Sequence, residues 1–268
     1  MMCLKNLKMD LGLSGRVALV TGASKGIGRA IALTLAAEGM DVALVARNRE
    51  ALEAVKKEIE GKGRRALAHA ADLSDPAAAA PAIDATVKAF GKLDLLVNCA
   101  GATKGGSFLT LTDSDWTDSF GLKFFTAVRM SKLAWPHLKA SRGGIVHIAG
   151  IAGRTGAAGF DAVGTVNAAF ALLTKAMADQ GVTDGVRVNA IHPGTIATGR
   201  LDARLDRMMA AKKISKDEAL KALLTDERTE RVGKPEEVAA MVAMIAGRPV
   251  EFMQGAIIDF DGGKNRGL

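Results

Sequence analysis

The residues best suited to chemistry lie in a glycine-rich turn near the start of the chain. This turn reads Thr-Gly-Ala-Ser-Lys-Gly-Ile-Gly, from Thr21 to Gly28. Its glycines let the backbone turn tightly and approach a pyrophosphate, and free N–H groups at a helix start favour negative charge. The turn follows an apolar strand and precedes a segment of helical period, as in a dinucleotide phosphate site. A plain glycine-rich connection between strand and helix is the alternative interpretation.

The elements that must position this turn alternate along the chain. Short apolar runs predict seven strands, at Val17–Val20, Val42–Ala46, Ala66–Ala70, Leu93–Asn98, Gly144–Ala149, Val186–Ile191 and Ala256–Asp259. Segments of helical period predict helices at 27–35, Arg49–Glu60, Pro76–Phe90, Asp113–Ala140, Asp161–Gln180 and Pro235–Ala246. This alternation is typical of a doubly wound parallel seven-stranded sheet, the Rossmann fold of the α/β class. We expect a single domain over residues 1–268, with a helical lid inserted at about 200–231.

Further motifs stand at the predicted strand ends. They are Asp72-Leu73, Asn98-Cys99-Ala100-Gly101, Pro193-Gly194 with Thr198, and Asp261-Gly262-Gly263. Together with the first turn they resemble, in order and over about residues 14–264, the short-chain dehydrogenase/reductase family. The resemblance implies a nicotinamide dinucleotide at the carboxyl ends of the central strands. With only two cysteines, the sequence gives no support for a zinc site, and we expect no metal. The residues that the resemblance assigns to the cofactor are Gly22, Ser24, Lys25, Gly26, Ile27, Gly28, Arg47, Asp72, Leu73, Asn98, Ala100, Gly101, Pro193, Gly194, Ile196 and Thr198.

The charge at the end of the second strand indicates which cofactor is bound. Family members that use NAD usually place an acid there to hold the ribose 2′-hydroxyl. Here the strand ends in Arg47, and Lys25 lies in the glycine turn. These two cations would meet a 2′-phosphate, so we expect NADP(H). The alternative is that both are merely solvated surface cations.

The resemblance fails at the positions that carry the family's usual chemistry. That chemistry uses an Asn, Ser, Tyr and Lys tetrad, in which the tyrosine is the general acid/base. The corresponding positions hold Lys123, Gly150, Val163 and Asn167, and the chain contains no tyrosine. Loss of a positioned proton donor typically costs about 10²- to 10⁴-fold in rate, so ordinary carbonyl reduction is not expected.

Lys123 is the candidate catalytic residue among these positions. If its ammonium reaches the space of the lysine that Asn167 replaces, it could hold the ribose or polarise a substrate oxygen. A lysine pointing to solvent from a long helix is the alternative. His147 and His192 also stand near the cofactor side, although a histidine beside a buried strand more often has a structural role.

Two hypotheses about function remain. The first is an atypical NADP(H)-dependent oxidoreductase acting on a small, largely apolar substrate, because Gly150 and Val163 predict a roomy, dry pocket. The second is a catalytically silent NADP-binding subunit or regulator of an active relative. The resemblance implies a homodimer or homotetramer, and a mixed oligomer is a further possibility.

Composition and charge exclude several other classes of protein. The chain has 268 residues, of which 49% are hydrophobic, so disordered and fibrous classes are excluded. The net charge is +7, but basic and acidic residues are interleaved, so no nucleic-acid partner is expected. The two cysteines, Cys3 and Cys99, cannot form a disulfide framework. Charged residues interrupt the first 13 residues, which argues against a signal peptide. With no apolar run of membrane length, we expect a cytoplasmic protein.

Overall fold

Seven strands form one parallel sheet in the order β3-β2-β1-β4-β5-β6-β7. The structure is a computed structural model and describes residues 9–267, so Cys3 and the start of the predicted single domain lie outside it. The strands are β1 Val17–Thr21, β2 Asp41–Ala46, β3 Ala66–Ala70, β4 Leu95–Asn98, β5 Gly144–Ile148, β6 Arg187–Pro193 and β7 Ile257–Phe260. The order reverses between β1 and β4, and ligands of such sheets bind in the crevice at this point. The doubly wound parallel sheet is therefore confirmed.

Helices cover both faces of the sheet. They are α1 Gly26–Ala37, α2 Arg49–Glu60, α3 Ala79–Phe90, α4 Asp113–Ser119, α5 Thr126–Ser141, α6 Asp161–Asp184, α7 Gly199–Lys212, α8 Lys216–Glu227 and α9 Pro235–Ala246. One core cluster joins the sheet to α1, α2 and α9, and a second joins it to α3, α5 and α6. Strands buried on both faces explain the nearly continuous apolar runs in the sequence. Within residues 9–267, no helix is both long and apolar enough to cross a membrane.

The predicted long helix at Asp113–Ala140 is not continuous. It is divided by a π-helical segment, Phe120–Phe125, which lies between α4 and α5. A π-helix holds more residues per turn than an α-helix, so it changes the directions in which the flanking side chains point. Lys123 lies in this segment and is only 7% exposed. The apolar pattern continues across the segment, which is why sequence periodicity does not reveal it.

The charged segment at about 200–231 contains the helices α7 and α8. Their apolar sides meet in a small cluster of their own, formed by Leu201, Leu205, Ala219 and Leu223. The end of α8 is fixed by Glu227, whose carboxylate accepts hydrogen bonds from Arg204, Lys264 and the Thr195 hydroxyl at 2.6–2.8 Å. The insertion is therefore helical, while its role as a lid stays a prediction.

We expect Glu227→Gln to destabilise the protein by about 1 to 3 kcal/mol, because a neutral amide replaces the buried carboxylate that two partly buried cations share. Burial raises the pKa of Glu227, but hydrogen bonds from Lys264, Thr195 and Arg204 outweigh it and the pKa is lowered. The stabilisation is thus present above the ordinary glutamate pKa and is lost as the pH falls through the lowered value. Thermal melts should show a difference from wild type at pH 7 that shrinks below about pH 4.

The exposed Glu230 provides a matched control for this substitution. Glu230→Gln should melt like the wild type at every pH. Equal melting temperatures for the Glu227 and Glu230 variants at pH 7 would contradict the anchoring role of Glu227.

Candidate functional site

The glycine turn joins β1 to α1 at the point where the strand order reverses. Gly22 and Gly26 have φ values of +71° and +55°, which favour glycine. A Cβ atom on Gly28 would lie 2.3 Å from the carbonyl oxygen of Gly22, so only glycine lets the helix start so close to the turn. The residue before α1, Lys25, makes no side-chain capping hydrogen bond. The N–H groups of the first helical turn therefore remain free for an anion.

The exit of β4 packs directly against this turn. The Thr21 hydroxyl accepts hydrogen bonds from the backbone N–H groups of Cys99 and Ala100, each at 3.0 Å. A Cβ atom on Gly22 would lie 3.0 Å from the Cα atom of Ala100. Thr21 thus holds the glycine turn against the loop that follows β4, and both segments are predicted to bind the cofactor.

The side chain of Asn98 is turned away from this cleft. Its Nδ2 donates to the Ser131 hydroxyl at 3.1 Å and lies 3.2 Å from Nδ1 of His147. Asn98 is 3% exposed, so its buried and hydrogen-bonded side chain stabilises the end of β4. Asn98 would therefore contribute to cofactor binding by positioning the loop that follows β4.

The exits of β2 and β3 form the far end of the cleft. Arg47 is exposed directly after β2, and Leu73 is buried after β3. The carboxylate of Asp72 accepts hydrogen bonds from the backbone and hydroxyl of Ser74, which lower the pKa of Asp72. The nearby charge of Arg47 lowers this pKa further. Arg47 and Asp72 therefore lie on one edge, as the sequence predicts.

The loop after β6 forms the opposite wall. Gly194 donates its N–H to the Phe260 carbonyl at 3.0 Å, and a Cβ atom there would lie 2.7 Å from the Cα atom of Asp261. Ile196 is buried, and Thr198 precedes α7. A Cβ atom on Gly26 would lie 3.3 Å from Cγ2 of Thr198, which brings this loop against the glycine turn. The predicted cofactor loops thus converge on one cleft.

The four residues that the sequence analysis aligns with the tetrad also come together at the end of β5. Lys123 points inward, and its Nζ donates to the Ala149 carbonyl at 2.9 Å and to Oδ1 of Asn167 at 2.6 Å. The Nδ2 of Asn167 donates to the Val163 carbonyl at 2.8 Å, which fixes the direction of the amide. A Cβ atom on Gly150 would lie 3.1 Å from Nδ2 of Asn167. The structure thus supports the inward orientation of Lys123 over the solvent-facing alternative.

The surroundings of Lys123 disfavour its charge. Burial, followed by the charge of Arg200, lowers the pKa of Lys123 to about 7, while Cys99 acts in the opposite direction. The Phe170 ring, whose centre lies 5.8 Å from Nζ, favours the charged amine, but burial outweighs this contact. Near neutral pH the amine is therefore able both to give and to take a proton.

The two histidines lie below the cleft, and both are fully buried. Burial lowers the pKa of His147 to about 3 and that of His192 to about 4, so both are neutral at neutral pH. Sequence analysis did not single out Arg200, whose guanidinium donates to the carbonyl of Gly101. The sequence feature that could have identified Arg200 is its position two residues after Thr198, at the start of the insertion.

Comparison with known proteins agrees with this geometry. The family described as short chain dehydrogenase matches residues 16–208. The short-chain reductase protein NovJ of Streptomyces niveus is 34% identical over 249 residues, covering 92% of this chain and 93% of NovJ.

Two solved structures are also similar. The L-sorbose reductase of Gluconobacter frateurii, complexed with NADPH and L-sorbose, superposes with a TM-score of 0.91 at 29% identity, covering 97% of this chain and 100% of the other. A short chain dehydrogenase of Burkholderia cenocepacia J2315, in complex with NADP, has a TM-score of 0.82 at 35% identity over 95% of this chain and 99% of the other. The likeness thus includes the helical insertion as well as the sheet.

We expect the stability of the protein to rise between pH 7 and pH 9, because the unfolded state holds the Lys123 proton more tightly. The lysine pKa is about 10.4 in an unfolded chain and is lowered to about 7 here by burial and Arg200. Stability rises with pH wherever the unfolded state binds more protons. Lys123→Met should abolish this rise, which amounts to at least about 3 °C in melting temperature for a chain of this size.

Lys132 is exposed on α5 and serves as the matched control. Lys132→Met should keep the rise seen in the wild type. Parallel pH profiles for the two variants would show that Lys123 does not titrate in this range.

Proposed function

The chain belongs to the short-chain dehydrogenase/reductase family, and from that membership we propose that it is an atypical NADP(H)-dependent oxidoreductase. The observation that carries this proposal is the convergence of the glycine turn and the exits of β2, β3, β4 and β6 on one cleft. Residues of all five segments match the positions that hold the cofactor in the family.

Two features of the cleft support a dinucleotide with an extra phosphate. The N–H groups at the start of α1 lack a side-chain partner, and Gly22 and Gly28 allow the turn to pack closely against the β4 loop and the helix start. Lys25 and Arg47 stand exposed beside the predicted ribose position. The G. frateurii and B. cenocepacia proteins, which hold NADPH and NADP, support the same choice. When bound, the cofactor supplies or accepts the hydride.

Lys123 is the group we assign to proton transfer. Its Nζ is held by the Ala149 carbonyl and the Asn167 amide oxygen, and its third N–H bond is free of these two contacts. With a pKa lowered by burial to about 7, the amine would donate a proton to the substrate atom that becomes basic during reduction. The protonated state would be restored from solvent after product release.

The remaining surface at the reacting end is poor in polar groups. Gly150 and Val163 replace two hydroxyl-bearing residues of the family, and Phe160 is 41% exposed at the start of α6. We therefore assign to this site a small, largely apolar substrate that carries a reducible group, such as a ketone, an imine or a conjugated acceptor.

A silent NADP-binding subunit or regulator of an active relative is the second candidate function. The replacement of all four tetrad residues favours it. Exposed apolar side chains at Leu133 on α5 and at Leu172 and Val182 on α6 suit assembly into a homodimer, a homotetramer or a mixed oligomer. The variants described below distinguish the two functions.

We expect Arg47→Ala to weaken NADPH binding by about 10- to 100-fold while changing NADH binding little, because one charge-assisted phosphate contact is lost. Fluorescence titration with both cofactors measures this. Lys62→Ala, in the exposed loop after α2, is the control and should bind both cofactors normally. Equal losses for NADPH and NADH would argue against a 2′-phosphate site.

Rebuilding the tetrad needs four substitutions. Lys123→Asn, Gly150→Ser, Val163→Tyr and Asn167→Lys together should raise NADPH-dependent ketone reduction at least about 100-fold over the parent, by restoring the positioned proton donor. The three substitutions without Lys123→Asn should stay nearly inactive, because two buried ammonium groups would compete for one site. Steady-state NADPH oxidation of the three proteins, with melts to check folding, measures the difference.

The same proteins separate enzyme from silent subunit. A parent that reduces imines or conjugated acceptors should lose that activity in the fourfold variant, whereas a silent parent should only gain ketone reduction. A folded fourfold variant that binds NADPH without gaining ketone reduction would mean that the four positions do not form the reacting site.

A further inference from the structure

Arg200 connects the start of α7 to the loop that follows β4. It is the second residue of α7, and its exposed guanidinium donates to the carbonyl oxygen of Gly101 at the exit of β4. Below this point, Gly101 packs tightly on Lys123, since a Cβ atom on Gly101 would lie 2.7 Å from the lysine Cγ. Arg200 and Lys123 therefore both contact the loop after β4 at Gly101.

These two cations are close enough to affect each other. The charge of Arg200 is the second cause, after burial, of the lowered pKa of Lys123. Both cations also act on the thiol of Cys99, although burial dominates there and raises the pKa of Cys99 to about 11. Among the described residues, the titratable groups that interact with Lys123 are thus the cation Arg200, the neutral thiol of Cys99 and the neutral imidazole of His192.

Two arginines near this pair, in contrast, are paired with carboxylates. Arg204, one turn along α7, lies 2.6 Å from the buried carboxylate of Glu227, and Arg154, which follows β5, lies 3.0 Å from Asp259. Among the described residues, neither Arg200 nor Lys123 forms a salt bridge. An anionic ligand would supply the counter-charge that both groups lack among the described residues, and it would favour the protonated form of Lys123.

We propose that Arg200 and Lys123 bind a carboxylate of the substrate, so that the substrate is an oxo acid with an otherwise apolar body. This inference rests on the proposed function. A guanidinium presents paired N–H groups that match the two oxygens of a carboxylate, for which a single backbone carbonyl is a weak substitute. The carboxylate would replace Gly101 as the partner of Arg200 and leave the oxo group beside the Lys123 amine.

The same chemistry suits a phosphate of the cofactor, so the experiment separates the two sources. Calorimetric titration of the NADP⁺-saturated protein compares acetoacetate with methyl acetoacetate, which differ in the carboxylate charge. Acetoacetate should bind about 10- to 100-fold more tightly than its ester, because one or two charge-assisted hydrogen bonds to the carboxylate account for a difference in affinity of this size. Arg200→Met should remove this preference while leaving the affinity for NADP⁺ within about twofold.

Arg207 is exposed on the same helix without a salt bridge among the described residues, and Arg207→Met should behave as the wild type. Equal binding of acid and ester, no binding of the acid, or the same loss in Arg207→Met would overturn the proposal. A fall in NADP⁺ affinity in Arg200→Met without loss of the acid preference would assign Arg200 to the cofactor and also overturn it. Failure of the wild type to bind NADP⁺ would defeat the proposed function, and the cofactor-free titration of acetoacetate would still decide the carboxylate site.

Discussion

The arrangement at the end of β5 depends on one hydrogen bond, from Lys123 Nζ to the Asn167 amide oxygen at 2.6 Å. An ammonium group that is 7% exposed loses most of its hydration, which costs several kcal/mol unless acceptors replace the water. Asn167 and the Ala149 carbonyl supply two acceptors, but neither carries a charge. The group is therefore satisfied in geometry yet easily deprotonated, and this is the property a proton-transfer residue needs.

The surrounding substitutions become intelligible as one correlated change. In the proposed alignment with the family's tetrad, an amide and an amine exchange places: the amine comes from position 123 and the amide from position 167. Gly150 leaves space for the amide, since even a Cβ atom there would lie 3.1 Å from its nitrogen. Gly101 leaves space for the lysine stem in the same way, so each of these positions constrains the others.

Much of the fold and of the cleft could be predicted from the sequence, because local patterns determine them. The sequence predicts the observed bounds of α2 and α9, and it predicts the strands to within about two residues. The strands can be recognised because parallel strands that are buried on both faces leave apolar runs. The glycine turn carries its own signal, since Gly28 admits no Cβ atom beside the Gly22 carbonyl.

The direction of individual side chains could not be predicted in this way. Lys123 stands in a π-helical segment whose wider turn leaves no mark in the apolar pattern. Asn98 ends β4 as the family motif requires, yet its amide is bonded to Ser131 beneath the sheet. Arg200 is a surface cation by sequence, and only the folded insertion brings it to Gly101. These contacts join residues far apart in the chain, so no local pattern encodes them.

The insertion is held unequally at its two ends, and this bears on how the site is completed. At the end of α8, Glu227 is bonded to three partners, including Lys264 beyond β7. At the start of α7, Thr198 makes no side-chain cap, and Arg200 reaches the β4 loop through a single carbonyl. A carboxylate that arrives between Arg200 and Lys123 would replace this neutral carbonyl as the partner of Arg200. Binding there would therefore exchange one contact at the start of α7 while the Glu227 anchor stays in place.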